Sequence, residues 1–233
     1  MDSQLLPPSG SVPVDPVVPV VPDRRWWTIE QAGRRLTQLY LGLALYGLSM
    51  AFFVTAHLGV MPWDVLHQGL VRLLARAGWD VSLGTMTIAT GVVVLLGWIP
   101  LRQRPGLGTA SNVVVIGLAV DQALALLPTP GAMAVRVAFV VIGTTLNAVA
   151  TALYIGARLG PGPRDGLMTG ICRRTGWPVR WVRMSIEVAV VALGWLFGGN
   201  FGAGTLVYAV AIGPLVHPLL PRFRVPGADP ASR

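Results

Sequence analysis

The sequence contains no lysine, a single cysteine and few charged residues of either sign. Charged residues make up 12% of the 233 residues, about half the share usual in a soluble domain. Hydrophobic residues make up 53%, and the mean hydropathy is +0.63. The lone Cys172 excludes an intramolecular disulfide and a cysteine metal cluster. The composition excludes a disordered chain and favours an integral membrane protein over a soluble one.

Uncharged runs of membrane length begin after residue 35. Three runs of 21 residues, 36–56, 81–101 and 137–157, carry no formal charge, and two longer runs carry one carboxylate each. A helix needs about 20 apolar residues to cross a hydrocarbon core of about 30 Å. The pattern therefore predicts an all-α polytopic protein with six transmembrane helices, near 37–56, 82–100, 109–127, 134–156, 179–197 and 203–221.

The domain organisation follows from these runs. Residues 1–35 are predicted to form a proline-rich cytoplasmic tail and a short interfacial segment, because dense proline prevents regular helix and sheet pairing. This region lacks the basic-then-apolar order of a secretory signal. The remaining predicted units are a first membrane repeat over 36–127, a second over 128–221 and a cytoplasmic tail over 222–233.

The arginines are distributed unequally between the two predicted sides of the membrane. With the N-terminus inside, 15 of the 18 arginines lie in cytoplasmic segments and three lie outside. Cytoplasmic loops of membrane proteins carry such an excess, so both termini are predicted to be cytoplasmic. The arginines form short clusters between apolar runs rather than a basic face, which argues against a nucleic-acid partner.

A segment of the chain is duplicated. Residues 56–70 read AHLGVMPWDVLHQGL and residues 157–171 read ARLGPGPRDGLMTGI, so that an LGxxPxD motif occurs twice at an offset of 101 residues. A GxGT turn also occurs twice, and Thr109 and Thr205 are expected to cap the following helices. The structural residues of the two motifs are Gly59, Pro62, Gly160, Pro163, Gly108, Thr109, Gly204 and Thr205.

Each copy consists of a helix, an LGxxPxD segment, a helix, a GxGT turn and a helix. Three crossings per copy require the second copy to enter the membrane from the opposite side. The sequence thus predicts two inverted three-helix repeats. This architecture is typical of secondary transporters, whose site lies between the repeats near the midplane.

The two motifs and the six-helix size resemble the YczE/YitT-like bacterial integral membrane proteins, and most closely the YczE branch. The resemblance covers residues 37–221 approximately and leaves out the proline-rich tail. It implies a small protein of the bacterial inner (plasma) membrane, with a role in transport or in supporting secondary metabolism. It supplies no catalytic residues.

Two carboxylates follow the motif prolines. Asp64 and Asp165 each lie two positions after the proline, where a carboxylate complements the amide dipole of a helix N-terminus. They are alternatively a pair of equivalent carboxylates that face a cavity. The segments 62–76 and 163–174 are too short to span the membrane and are predicted to be re-entrant half-helices or interfacial helices.

Three further polar residues lie within the apolar runs. Asp121 and Glu187 are costly in hydrocarbon, so each is predicted to be a proton-relay carboxylate or cation ligand, or else part of an ion pair. For Glu187 the ion-pair partner would be Arg183. Asn147 either forms hydrogen bonds between helices or lines a solute site.

Enzyme signatures are absent, including HExxH, GxSxG and clustered histidines. We therefore expect no catalytic residues, no metal and no cofactor. The expected partners are the lipid bilayer and an unidentified small solute, and a homodimer or a membrane complex stays open. The favoured function is a small-solute secondary transporter or exporter.

The alternative is a non-transporting membrane partner: a scaffold, or a substrate-capture subunit of a larger transport or biosynthetic complex. Such a protein needs a docking face of small residues. The first helix offers one candidate face, which could equally pack within the protein: Gly42, Ala44, Gly47, Ser49 and Ala51.

Overall fold

The computed structural model describes residues 32–225 of the chain. In that range it contains eight α-helices and no strand, which confirms the predicted all-α class. The helices are α1 Ala32–Ala56, α2 Pro62–Arg76, α3 Leu83–Trp98, α4 Leu107–Leu126, α5 Met133–Gly156, α6 Pro163–Thr175, α7 Val179–Leu196 and α8 Ala203–Phe223.

A helix lies at each of the six positions where the sequence predicts a long one. Four of them, α1, α4, α5 and α8, are long and apolar enough to cross a membrane. The other two helices are not long and apolar enough to be candidate spans by the same measure. Helix α3 has only 16 residues, and α7 carries Arg180, Arg183 and Glu187 within 18 residues. The two motif segments form the short helices α2 and α6, and each begins at its motif proline as predicted.

The first helix begins earlier than the predicted start near residue 37. Helix α1 begins at Ala32, so Arg34 and Arg35 belong to its first turn rather than to a separate interfacial segment. Arg35 is buried with 4% of its surface exposed. The tail and interfacial segment predicted before Ala32 lie outside the described residues.

The main core lies between α1 and α5. Leu39, Leu43, Met50 and Phe53 of α1 are completely buried in it. Close approach depends on small residues, because a Cβ added at Gly42 would lie 2.9 Å from the backbone nitrogen of Tyr154. Small residues at helix contacts are typical of membrane bundles, where van der Waals packing drives association.

Each GxGT turn contacts the LGxxPxD segment of the other half of the chain. The Gly108 N–H donates to the Leu159 carbonyl at 2.8 Å, and the Gly204 N–H donates to the Leu58 carbonyl at 2.7 Å. Each short helix likewise packs on a helix from the other half of the chain. Helix α2 packs on α7, and α6 packs on α3.

The predicted N-caps of α4 and α8 are wrong by three positions. The cap residues are Gly106 and Gly202, which precede Thr109 and Thr205. Each threonine hydroxyl instead accepts a hydrogen bond from the N–H of its cap residue, at 3.2 and 3.3 Å. A glycine allows the adjacent segment to approach at the cap, while the threonine three residues later satisfies the free N–H.

The loops before the two short helices have matching backbone conformations. Gly59 and Gly160, at equivalent motif positions, have φ of +105° and +133°. A Cβ at Gly59 would lie 2.6 Å from the Gly202 nitrogen, and a Cβ at Gly160 would lie 2.9 Å from the Thr109 hydroxyl. Glycine is therefore required both by the left-handed backbone and by the contact with the opposite turn.

Replacing the motif glycine is expected to destabilise the fold. Gly59→Ala combines a strained backbone with a clash against backbone atoms, so the free energy of unfolding should fall by about 2–4 kcal/mol. The control is Gly33→Ala on the exposed face of α1, where nothing lies within 4 Å. Unfolding of the purified protein in detergent measures both, and equal effects of the two substitutions would contradict this account.

Candidate functional site

A cavity of about 530 Å³ lies inside the helix bundle, and all eight helices contribute to its wall. This volume falls within the range of about 300–1,000 Å³ usual for small-molecule sites. The first turns of both short helices line it, through Pro62 and Trp63 of α2 and through Pro163 and Arg164 of α6. The two copies of the LGxxPxD motif therefore meet at one site.

Arg164 is the cation at the centre of this arrangement. Its guanidinium carbon lies 4.9 Å from the centroid of the Trp63 ring, and its Nη1 donates a long hydrogen bond of 3.4 Å to the Tyr46 hydroxyl. Within residues 32–225 the ion pairs are Asp64–His67 and Arg183–Glu187, so no carboxylate lies within 4.0 Å of Arg164. An aromatic face and a phenol thus hold this charge.

Asp165 lines the same cavity. It lies in the first turn of α6, as the sequence predicts, and its Oδ2 accepts a hydrogen bond of 3.0 Å from the Tyr154 hydroxyl. The Tyr154 and Tyr46 rings pack edge to face with centroids 6.3 Å apart. The two tyrosines therefore connect Asp165 to Arg164 along one wall of the cavity.

Glu187 also lines the cavity, paired with Arg183 one helical turn earlier on α7. The Arg183 Nε lies 3.0 Å from the Glu187 Oε1, and both side chains are partly exposed, at 54% and 35%. The ion-pair alternative considered for Glu187 is the one present in the structure. Glu187 lies at the site with its charge compensated.

Asp64 lies behind the wall rather than in it. The residue is completely buried, and its Oδ1 lies 3.1 Å from His67 Nδ1. His67 reaches the cavity and also lies 3.3 Å from the Thr87 hydroxyl. The second oxygen, Oδ2, is buried without a hydrogen-bond partner in the described part of the chain. Asp64 thus contacts the cavity-lining His67 without lining the cavity itself.

Asp121 is not among the residues that line the cavity. Its Oδ2 accepts a hydrogen bond of 2.6 Å from the Ser82 hydroxyl, and its Oδ1 accepts one of 2.8 Å from the Gly84 N–H. Ser82 is the N-cap of α3. The carboxylate therefore satisfies the N-terminus of a neighbouring helix, where a negative charge is favourable.

Asn147 forms hydrogen bonds between helices, one of the two roles that the sequence allows. It is completely buried, its Nδ2 donates to the Ser49 hydroxyl at 2.9 Å, and its Oδ1 accepts from the Tyr208 hydroxyl at 2.9 Å. Tyr208 in turn lines the cavity. Asn147 thus joins α1, α5 and α8 and orients a residue of the site without lining it.

Several residues of the site are missed by sequence reasoning: Trp63, His67, Tyr154, Arg164 and Tyr208. Trp63 and Arg164 stand between the proline and the aspartate of the two motif copies. Because the flanking residues are shared, this position could have been predicted to lie at the site. By its neighbours along the chain, Arg164 belongs to the arginines of the predicted cytoplasmic segments, while its aromatic partner Trp63 lies in the other motif copy. As for metals, residues 32–225 contain no group of three histidine, cysteine or acidic side chains that could hold an ion.

The chain belongs to a family of unknown function, DUF6198, which it matches over residues 33–220. An uncharacterized protein of Haemophilus influenzae is 37% identical over 205 residues, 86% of this chain and 91% of the relative. The uncharacterized membrane protein YczE of Bacillus subtilis is 30% identical over 192 residues, 81% and 86% of the two chains. The predicted resemblance to the YczE branch is confirmed.

A third relative, the uncharacterized protein YyaS of Bacillus subtilis, is 22% identical over 186 residues, 78% of this chain and 90% of the relative. No solved structure matches the chain. Together with the four helices that are long and apolar enough to span a bilayer, the similarity to YczE identifies this chain as a membrane protein.

The contacts of Asp121 predict a structural effect of its removal. Asp121→Ala takes two hydrogen bonds from the start of α3, so the free energy of unfolding should fall by about 1–3 kcal/mol. The matched control is Asp80→Ala, which removes an exposed carboxylate near the same helix end. Unfolding in detergent measures both, and an Asp121→Ala protein as stable as the control would refute the capping role.

Proposed function

We propose that this chain is a secondary transporter or exporter of a small solute, with the solute bound in the cavity described above. The observation that carries the proposal is the composition of the cavity wall. The first turns of both short helices contribute to it, together with charged and phenolic side chains. Transporters of the inverted-repeat type bind solute at such an interface, beside the ends of discontinuous helices.

The proposal includes six membrane crossings arranged as two inverted repeats. The exchanged contacts support it, because each GxGT turn donates a backbone hydrogen bond to the opposite LGxxPxD segment. His57 and Arg158, at equivalent positions, also share a positive φ of 55° and 57°. A pseudo-twofold relation between the halves produces pairs of equal contacts of this kind. In this arrangement α3 and α7 are the two additional crossings.

The proposed mechanism is rocking or local gating of one half against the other. The cavity carboxylates Asp165 and Glu187 are the groups through which a proton would be coupled to solute, since both reach the cavity. Asp121 is not one of these groups, because its carboxylate accepts hydrogen bonds at the start of α3. The proposed location is the bacterial inner membrane.

The alternative of a non-transporting partner receives less support from the structure. Four members of the small-residue face proposed for docking, Gly42, Gly47, Ser49 and Ala51, are buried within the protein. A Cβ at Gly47 would lie 2.8 Å from the backbone nitrogen of Val120, so that face already packs on α4. A scaffold or capture subunit would need another docking surface.

Solute-driven proton flux in liposomes that contain only this protein tests the proposed function. The panel consists of amino acids, organic acids, amines and sugars. Asp165→Asn should lower flux at least tenfold because it removes one of the two carboxylates proposed to couple the proton, whereas Asp80→Asn should leave flux unchanged. Flux no greater than in protein-free liposomes for the whole panel would favour the partner alternative, as would an ATPase that co-purifies from native membranes.

The number of crossings is tested separately with alkaline phosphatase, which is active only outside the cytoplasm. Six crossings with a cytoplasmic N-terminus place Thr129 outside and Gln103 inside. Four crossings, by α1, α4, α5 and α8 alone, place these residues on the opposite sides. We expect a fusion after Thr129 to be active and a fusion after Gln103 to be inactive, and the reverse pattern would exclude the inverted-repeat topology.

A further inference from the structure

We infer that the solute of this cavity is an organic anion whose carboxylate is bound by Arg164, an inference that rests on the proposed function for the identity of the site. The carboxylate would accept hydrogen bonds from the planar guanidinium. The organic part of the solute would occupy the remaining volume of the cavity.

Among the charged side chains that residues 32–225 contribute to the cavity wall, Arg164 has no ion pair, although the buried Asp64 acts on its charge from beyond 4.0 Å. Asp165 accepts a hydrogen bond from Tyr154, and Glu187 is paired with Arg183. Arg164 has the Trp63 ring and one phenol at 3.4 Å, but no ion pair. A guanidinium presents five donors in a fixed fork, so most of its hydrogen-bonding capacity stays available. Arg164 is therefore the charged group of the wall with the most donors free for an acceptor such as a carboxylate.

The same charges disfavour other classes of solute. A cationic solute would be repelled by the Arg164 guanidinium, which has no ion pair with the described residues, and Glu187 is already paired with Arg183. A neutral solute would leave this partly buried charge without an ion pair, and such a charge gains from an anionic partner. A carboxylate carries the single charge that one guanidinium neutralises, and its two oxygens match the fork in a bidentate pair. A doubly charged phosphate would exceed what Arg164 alone offers.

The rest of the wall suits a carbon skeleton. The cavity of about 530 Å³ is much larger than a carboxylate group, and several aliphatic side chains face it. These side chains are Val94, Val113, Ile116, Ile186, Ile212 and Leu220. A solute with an aliphatic or aromatic body would bury apolar surface there, while its carboxylate lies at Arg164. Such a carboxylate has two sources, a water-soluble acid or a fatty acid of the bilayer.

Binding to the full chain in lipid nanodiscs tests the inference with pairs of equal shape. Isothermal titration compares benzoate with benzamide and hexanoate with hexanamide, and palmitate with palmitamide in the nanodisc represents the bilayer source. In the wild type, one carboxylate or more should bind at least tenfold more tightly than its amide. The pair that shows the preference identifies the source.

Substitutions of Arg164 test whether its guanidinium causes the preference for a carboxylate over its amide. Arg164→Gln should abolish it, and Arg164→Lys should retain part of it because the charge remains while the fork is lost. The matched control, Arg173→Gln, removes an exposed arginine on the same helix and should leave the preference unchanged. Thermal unfolding of each variant verifies folding, and Arg164→Lys serves as the test variant if Arg164→Gln does not fold.

Two results would overturn the inference. One is a wild type in which no carboxylate of the panel binds more tightly than its amide. The other is a preference that persists in a folded Arg164 variant at the wild-type level. The binding experiment does not depend on flux, so the carboxylate inference and the transport proposal can be refuted independently. Arginine-dependent binding without flux would refute transport alone, and flux of a cationic solute would refute the carboxylate inference alone.

Discussion

The structure depends on two reciprocal backbone hydrogen bonds between the halves of the chain. The Gly108 N–H meets the Leu159 carbonyl, and the Gly204 N–H meets the Leu58 carbonyl. Each donor lies at the start of a long helix, and each acceptor lies a few residues before a short one. The two bonds therefore hold the segments that precede α2 and α6 against the opposite turns, and the first turns of α2 and α6 form part of the cavity wall. A side chain at either donor position would separate the segments.

The cavity is then defined by a charge that the protein compensates incompletely. Removal of a guanidinium from water costs several kcal/mol even after relaxation, whereas a cation–π contact returns about 0.5–2 kcal/mol. The contact of Arg164 with Trp63 and its long hydrogen bond to Tyr46 offset only part of that cost. By contrast, Asp121 and Glu187 each have strong partners that remove the reason for a ligand. Of the two cations in the described part of the chain that line the cavity, Arg164 is the one without an ion pair, so it is the better suited to bind an anion.

The sequence predicts the helices better than it predicts the site, for a physical reason. Helix positions follow from apolar runs and from glycine and proline within them, which are local features. The first turns of α2 and α6 are likewise predicted by their prolines. The contacts of Asp121 are with Ser82 and Gly84, which lie 39 and 37 residues away and give no local signal. The role of Arg164 is not predicted for the same reason, because loop arginines are common and its aromatic partner lies in the other motif copy.

The contact between Trp63 and Arg164 explains why the two motif copies differ at this position. These residues are equivalent in the duplicated segments, and they meet each other across the cavity wall. Two arginines at this separation would repel by about 3–4 kcal/mol at an effective dielectric constant near 20. Two tryptophans would leave this part of the wall without a cation. One residue of each type places a single cation on an aromatic face in this part of the cavity wall.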